Sequence, residues 1–305
     1  MFRLAILALV ALTPAVTAAD TPKLLTWDDL ASRAKPAPDA TISYGDDHLQ
    51  KVDLWLPAGP RPTGKRFPTV LMVHGGCWTT SIADRSLMNW VADDLRKAGY
   101  AVWNIDYRGV DRTGGGYPGT FQDAAKAADT LRDHARQYGL DTQHVVAIGH
   151  SAGGHLALWL AARSKLPADS PLHTARPLRI AHVISLGGLP DLEATAASPD
   201  NGCGTEVVGA LLGKPTPGRP DIYRDTSVPR LLPLGMRQDL VNGQEDRIIP
   251  MRLATGYVAQ AQKAGDSIAL HVVPQTGHVE LVTPDTAAWA KTRQLLAAAL
   301  AQRHH

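Results

Sequence analysis

Ser151 stands in Gly149-His150-Ser151-Ala152-Gly153, between an apolar run, Val145-Val146-Ala147-Ile148, and an apolar helical stretch from His155 to Ala162. A Gly-x-Ser-x-Gly segment flanked in this way puts a serine hydroxyl on a tight strand-to-helix turn at the tip of a sheet. The competing reading is a serine that merely caps a helix at a glycine-rich turn. A hydroxyl is a poor nucleophile at neutral pH unless a base takes its proton and a third group orients that base. The chain offers both, in the order Ser, Asp, His. Asp246 lies in Gly243-Gln244-Glu245-Asp246-Arg247-Ile248-Ile249-Pro250, after an expected strand and before an expected helix. His278 lies in Gln275-Thr276-Gly277-His278, in the loop between the last expected strand and the last helix. Asp246 is the first choice for the acid; Glu245 beside it and Asp191 after the preceding strand are the alternatives.

A second constellation, His74-Gly75-Gly76-Cys77-Trp78, follows the first long apolar strand. Attack on an acyl carbon builds negative charge on the carbonyl oxygen, and main-chain N–H groups aimed at that oxygen stabilise it by about 3 kcal/mol each in other enzymes. The expected donors are Gly76 and Cys77 from this loop and Ala152 after the nucleophile. Trp78 is expected to line the substrate pocket, although a tryptophan after such a loop also packs well in a core. Asp106, Arg108 and Asp123 read as a structural ion-pair or capping set, and His150 and His155 as supporting or packing groups.

These side chains need a scaffold that brings separate loops to one rim. Residues 40–57 alternate around a turn at Gly45-Asp46-Asp47 and read as a β-hairpin. Strands are expected at 69–74, 100–107, 144–149, 180–187, 234–241 and 267–273, and helices at 27–34, 86–98, 121–138, 152–163, 251–264 and 286–302. Strands separated by helices of this length imply βαβ crossovers, hence an α/β fold with a mostly parallel sheet, helices on both faces and an antiparallel hairpin at its N-terminal end. In such sheets ligands bind at the carboxyl ends of the strands. Periodicity lapses over 189–233, which reads either as a cap inserted over that edge or as a long surface loop.

With 305 residues and 44% hydrophobic residues the chain is long enough for a full core. The net charge of +2 is dispersed and forms no basic stripe, which argues against a nucleic-acid partner. Residues 1–19 have the form of an export signal: Arg3, an apolar run from Leu4 to Leu12, then small residues ahead of Asp20. That run is too short to span a bilayer, so the expectation is a secreted or periplasmic protein, residues 20–305 forming one domain without a stable membrane span. Cys77 and Cys203 are then free to pair in an oxidising compartment, but sequence leaves pairing open. They are too few, without histidines at ligand spacing, for a zinc site.

Taken together, the segment Val52-Asp53-Leu54-Trp55-Leu56-Pro57, the His-Gly-Gly-x-Trp loop, Asp106-Tyr107-Arg108, the elbow, Asp246 and His278 resemble an α/β-hydrolase of the esterase, lipase and kynurenine-formamidase group, from about residue 41 to residue 300. The resemblance implies a Ser151–His278–Asp246 catalytic triad and an oxyanion hole built partly by the His-Gly-Gly loop. Cys77 stands where hormone-sensitive-lipase-like esterases carry a third glycine, a form closer to formamidases and feruloyl-esterase-like proteins. The expected activity is hydrolysis of a small-molecule carboxylic ester through an acyl-enzyme, with no metal or organic cofactor. Cleavage of an N-formyl amide, as in N-formylkynurenine, uses the same machinery and is the nearest alternative. A catalytically inactive hydrolase fold acting as a binding module is the alternative of another class.

Overall fold

Short apolar runs bounded by glycine and proline do become strands. A computed structural model, which describes residues 23–59 and 64–301, joins eight of them in one sheet. They are β1 (Ala40–Ser43), β2 (Lys51–Trp55), β3 (Thr69–Val73), β4 (Ala101–Ile105), β5 (Val145–His150), β6 (Ile180–Leu186), β7 (Arg237–Gly243) and β8 (Ile268–Val273). Their spatial order is β1-β2-β4-β3-β5-β6-β7-β8. The hairpin is antiparallel and joins β4 antiparallel; every later pairing is parallel. The expected signal at residues 1–19 lies outside the described residues. Among those described, no helix is long and apolar enough to cross a membrane.

The helices are α1 (Trp27–Ala31), α2 (Asn89–Lys97), α3 (Gly119–Tyr138), α4 (Ala152–Ala162), α5 (Leu192–Ala196), α6 (Glu206–Leu212), α7 (Met251–Lys263) and α8 (Ala287–Ala301). Alternate residues of each central strand face opposite layers. Val70, Met72, Val146 and Ile148 pack with Leu30, Val91, Leu95, Trp289 and Leu296, so α1, α2 and α8 cover one face. Leu71, Val73, Val145 and Ala147 pack with Phe121, Leu131, Leu156, Leu160 and Tyr257, so α3, α4 and α7 cover the other. Strands buried on both faces read as continuous apolar runs in the sequence.

Two expectations need correction. The β7 strand begins at Arg237 rather than 234, because the N–H groups of Leu234 and Gly235 are taken by the Asp266 carboxylate at 2.8 Å each instead of by a neighbouring strand. The helix expected from 86 opens as a 3-10 turn, Arg85–Met88, capped by Asp84, before α2 proper. The 189–233 segment, read as a cap or a long surface loop, holds α5, α6 and a 3-10 turn at Val228–Leu231, with Val208, Leu211 and Leu212 buried in the core.

Candidate active site

Between the end of β5 and the start of α4, Ser151 occupies φ 54°, ψ −122°, a conformation that side chains rarely adopt. Such a residue costs on the order of 1–3 kcal/mol and persists only where its surroundings hold it. Here they do. A methyl on Gly149 would sit 2.0 Å from the Gly153 carbonyl oxygen, and one on Gly153 2.2 Å from that of Val73, so the turn closes only with glycine at both places. The Ser151 N–H donates to the Leu186 carbonyl at 2.8 Å, which pins the elbow to the end of β6.

His278 reaches the same rim from the loop after β8. A methyl on Gly187, the residue after β6, would lie 3.1 Å from both Cε1 and Nδ1 of the His278 ring. That ring is 4.4 Å, centroid to centroid, from His150, whose Nε2 is 3.2 Å from the His278 carbonyl oxygen. Burial, with His278 as a like-charged neighbour, pushes the His150 imidazole well below its usual range and keeps it neutral. The His278 Nδ1 is 2.7 Å from Asp246 Oδ2, and both side chains are almost fully buried. The other Asp246 oxygen accepts from the N–H groups of Ile248 and Ile249 at 2.8 and 2.9 Å. An oxygen pair so engaged can only accept, so the proton sits on Nδ1 and leaves Nε2 as the basic nitrogen. Asp191 is occupied elsewhere: it caps α5 through Ala194 N–H and binds the Gln260 amide at 2.9 Å.

The 74–78 loop lies directly against the elbow, since a methyl on Gly75 would come within 3.0 Å of Ser151 Cβ. Among the described residues no hydrogen bond takes up the N–H of Gly76, Cys77 or Ala152, so all three remain available to an oxyanion. Behind the loop, the His74 ring nitrogens sit 2.7 Å from Gly75 O and 2.9 Å from Asp106 Oδ1. Arg85 donates to the second Asp106 oxygen at 2.8 Å. Arg108 clamps Asp123 with two bonds, at 2.7 and 2.9 Å. The charged residues at this edge are therefore a buried ion-pair frame. Cys77 and Cys203 form a disulfide, Cα–Cα 5.4 Å, which ties the loop to the 189–233 insertion.

Trp78 requires a correction. It has no exposed surface, and its Nε1–H donates to His155 Nδ1 at 3.3 Å. A side chain closed off from water lines no substrate pocket; Trp78 is a core residue that braces the loop from below.

A family model described as BD-FAE matches residues 52–256, about two thirds of the chain. The chain belongs to the BD-FAE family. That family is of the α/β-hydrolase esterase type, and the sheet order and helix layers are those of its structural neighbours. This BD-FAE chain is 26% identical over 248 residues to esterase LipC of Mycobacterium tuberculosis, spanning 79% of this chain but only 57% of LipC. Among solved structures it superposes on esterase B from Lactobacillus rhamnosis with a TM-score of 0.72 at 20% identity, covering 91% of this chain and 93% of that one. On propionate-bound Est2 from Thermogutta terrifontis the TM-score is 0.68 at 22% identity, covering 90% and 97%.

One residue at this BD-FAE site escaped the sequence reading. Trp27, on α1, stands edge-on to His278 and His150, with ring centroids 6.3 and 6.0 Å apart. No local signal marks it, because its partners lie more than a hundred residues away.

Proposed function

We propose that this chain is a serine hydrolase that cleaves carboxylic esters through an acyl-enzyme. The observation that carries the reading is the buried 2.7 Å contact between His278 Nδ1 and Asp246, made beside a strained serine elbow at the same sheet edge. In this reading His278 Nε2 accepts the Ser151 proton as the hydroxyl attacks the ester carbonyl. The resulting imidazolium is held by Asp246, and the N–H groups of Gly76, Cys77 and Ala152 stabilise the oxyanion. His278 then protonates the departing alcohol, and water releases the acid by the same route.

Residues 20–305 are read as one hydrolase domain, with 189–233 as its cap. The Cys77–Cys203 disulfide supports an oxidising, secreted or periplasmic setting.

Labelling with a fluorophosphonate should place one adduct on Ser151, and Ser151→Ala should abolish both the adduct and p-nitrophenyl acetate hydrolysis. A folded wild-type protein without adduct would leave the hydrolase fold as a binding module. Turnover of N-formylkynurenine in preference to p-nitrophenyl acetate would move the substrate to the formamides.

A further inference from the structure

Residues 24–36 pass over the face of the molecule next to His278 and are fastened at both ends. The Glu280 carboxylate accepts from Leu25 N–H with one oxygen and from Gly277 N–H, in the histidine loop, with the other. At the far end Trp90 Nε1–H donates to Ala34 O at 3.2 Å and Asn89 to Pro36 O at 3.0 Å. A box of reciprocal bonds between Thr26 and Asp29 caps the intervening α1. Trp27 is therefore held in place, yet it is 40% exposed, and Ile82 opposite is 63% exposed.

Between them lies a cavity of about 380 Å³ whose lining is apolar at Trp27, Leu30 and Ile82 and polar at Lys35, Asp84 and Ser86. One wall, at Ala83, touches the oxyanion loop: a methyl on Gly76 would lie 2.8 Å from Ala83 Cβ. The other wall is the indole that stands against His278. The cavity thus lies between Ala83, which packs against the oxyanion loop, and the indole that stands against His278, and reaches both groups through these two neighbours.

We infer that this cavity is the subsite for the alcohol part of the ester, and that Trp27 selects ring-bearing alcohols by covering one face or edge of the ring. The inference rests on the triad reading above. General-acid chemistry gives the side: the imidazole that protonates the leaving oxygen must be within about 3 Å of it, so whatever is attached to that oxygen lies beside the imidazole. Fixed aromatic surface left open to water next to a reacting group is the form a binding wall takes. Its size suits a one- or two-ring group.

The test compares phenyl acetate, 2-naphthyl acetate and 2-naphthyl butyrate on wild type, Trp27→Ala and Trp27→Phe. Trp27→Ala should lower kcat/KM for 2-naphthyl acetate about tenfold, mostly through KM, the scale of one lost aromatic pair. Phenyl acetate should change less than about threefold on the same basis, and Trp27→Phe should restore most of the loss. The ratio of naphthyl butyrate to naphthyl acetate should not move. An equal fall on all three esters, as from a displaced imidazole, would overturn the inference, as would no fall at all or a shifted acyl ratio. Binding of 2-naphthol to Ser151→Ala, with and without Trp27→Ala, needs no catalysis. If ester hydrolysis proves independent of Ser151, the triad reading fails, and a tenfold loss or no loss of naphthol affinity then decides the subsite alone.

Discussion

Both oxygens of Asp246 are engaged. One faces His278 and the other accepts two main-chain N–H groups, so the carboxylate is fixed in position. An asparagine there keeps the shape but can turn its amide N–H toward the ring. The imidazole would then carry its proton on Nε2 and have no lone pair for the serine. Asp246→Asn is expected to lower kcat by about 10⁴, the size of this change in a serine protease, with little effect on KM. Asp191→Asn should leave kcat within about twofold, because its loss is a helix cap, and Asn caps nearly as well as Asp. Steady-state kinetics on the two variants check the assignment; the reverse pattern would make Asp191 the acid. Asp246 was legible in sequence because it sits in a polar, glycine-led loop directly after a buried strand. Glu245 could be set aside only once the backbone showed which of two adjacent carboxyls turns toward residue 278.

At the level of elements, the strands were readable and the insertion was not. Strands such as Val70-Leu71-Met72-Val73 announce themselves because both faces are covered. Helices α5 and α6 have 5 and 7 residues, too few for a 3.6-residue period to stand out, and the insertion that carries them is fastened to α4 near residues 225–226 and to the 74–78 loop by a disulfide. Trp159 and His155 of α4 bind the carbonyls of Asp225 and Thr226 at 2.8 Å each. The same difficulty applies to Trp78, since an aromatic after a loop looks alike in sequence whether it faces a pocket or a core. The Cys77–Cys203 link joins this insertion to the 74–78 loop across 126 residues, where Cys77 and Trp78 both hold positive φ. Closing so long a loop stabilises the fold by about 2–5 kcal/mol. The Cys77→Ser/Cys203→Ser variant should therefore melt about 10 °C lower. Its kcat should fall less than the 10²-fold or more that follows outright loss of an oxyanion donor. Calorimetry and ester kinetics measure the two effects; an unchanged kcat would assign the disulfide to the fold alone.

Across the whole molecule, His155 is the point where three parts meet. Its Nδ1 accepts from Trp78 of the 74–78 loop, its Nε2 is 2.8 Å from Thr226 O of the insertion, and its ring packs edge-on against Phe121 of α3. Both nitrogens are used, one as acceptor and one as donor, so the ring must be neutral. Burial lowers its pKa to about 4. In the unfolded chain the same group titrates at about 6.5, so between those values the unfolded state binds more protons and stability falls as pH falls. The loss at pH 4 is on the order of 3 kcal/mol from this residue, with His150 acting in the same direction. Asp239 responds only at lower pH. Hydrogen bonds from His182, Arg237 and His271 outweigh its burial and hold its carboxyl below the usual range, so its contribution persists above about pH 4 and is lost beneath it. Urea unfolding at several pH values between 7 and 4 should show a slope that is reduced by close to one proton in His155→Gln, whose amide can still donate to Thr226 and accept from Trp78. Identical slopes in the two proteins would mean that the ring takes up its proton without unfolding. The joint between the 74–78 loop and the insertion would then have to open locally in acid while the sheet stays intact.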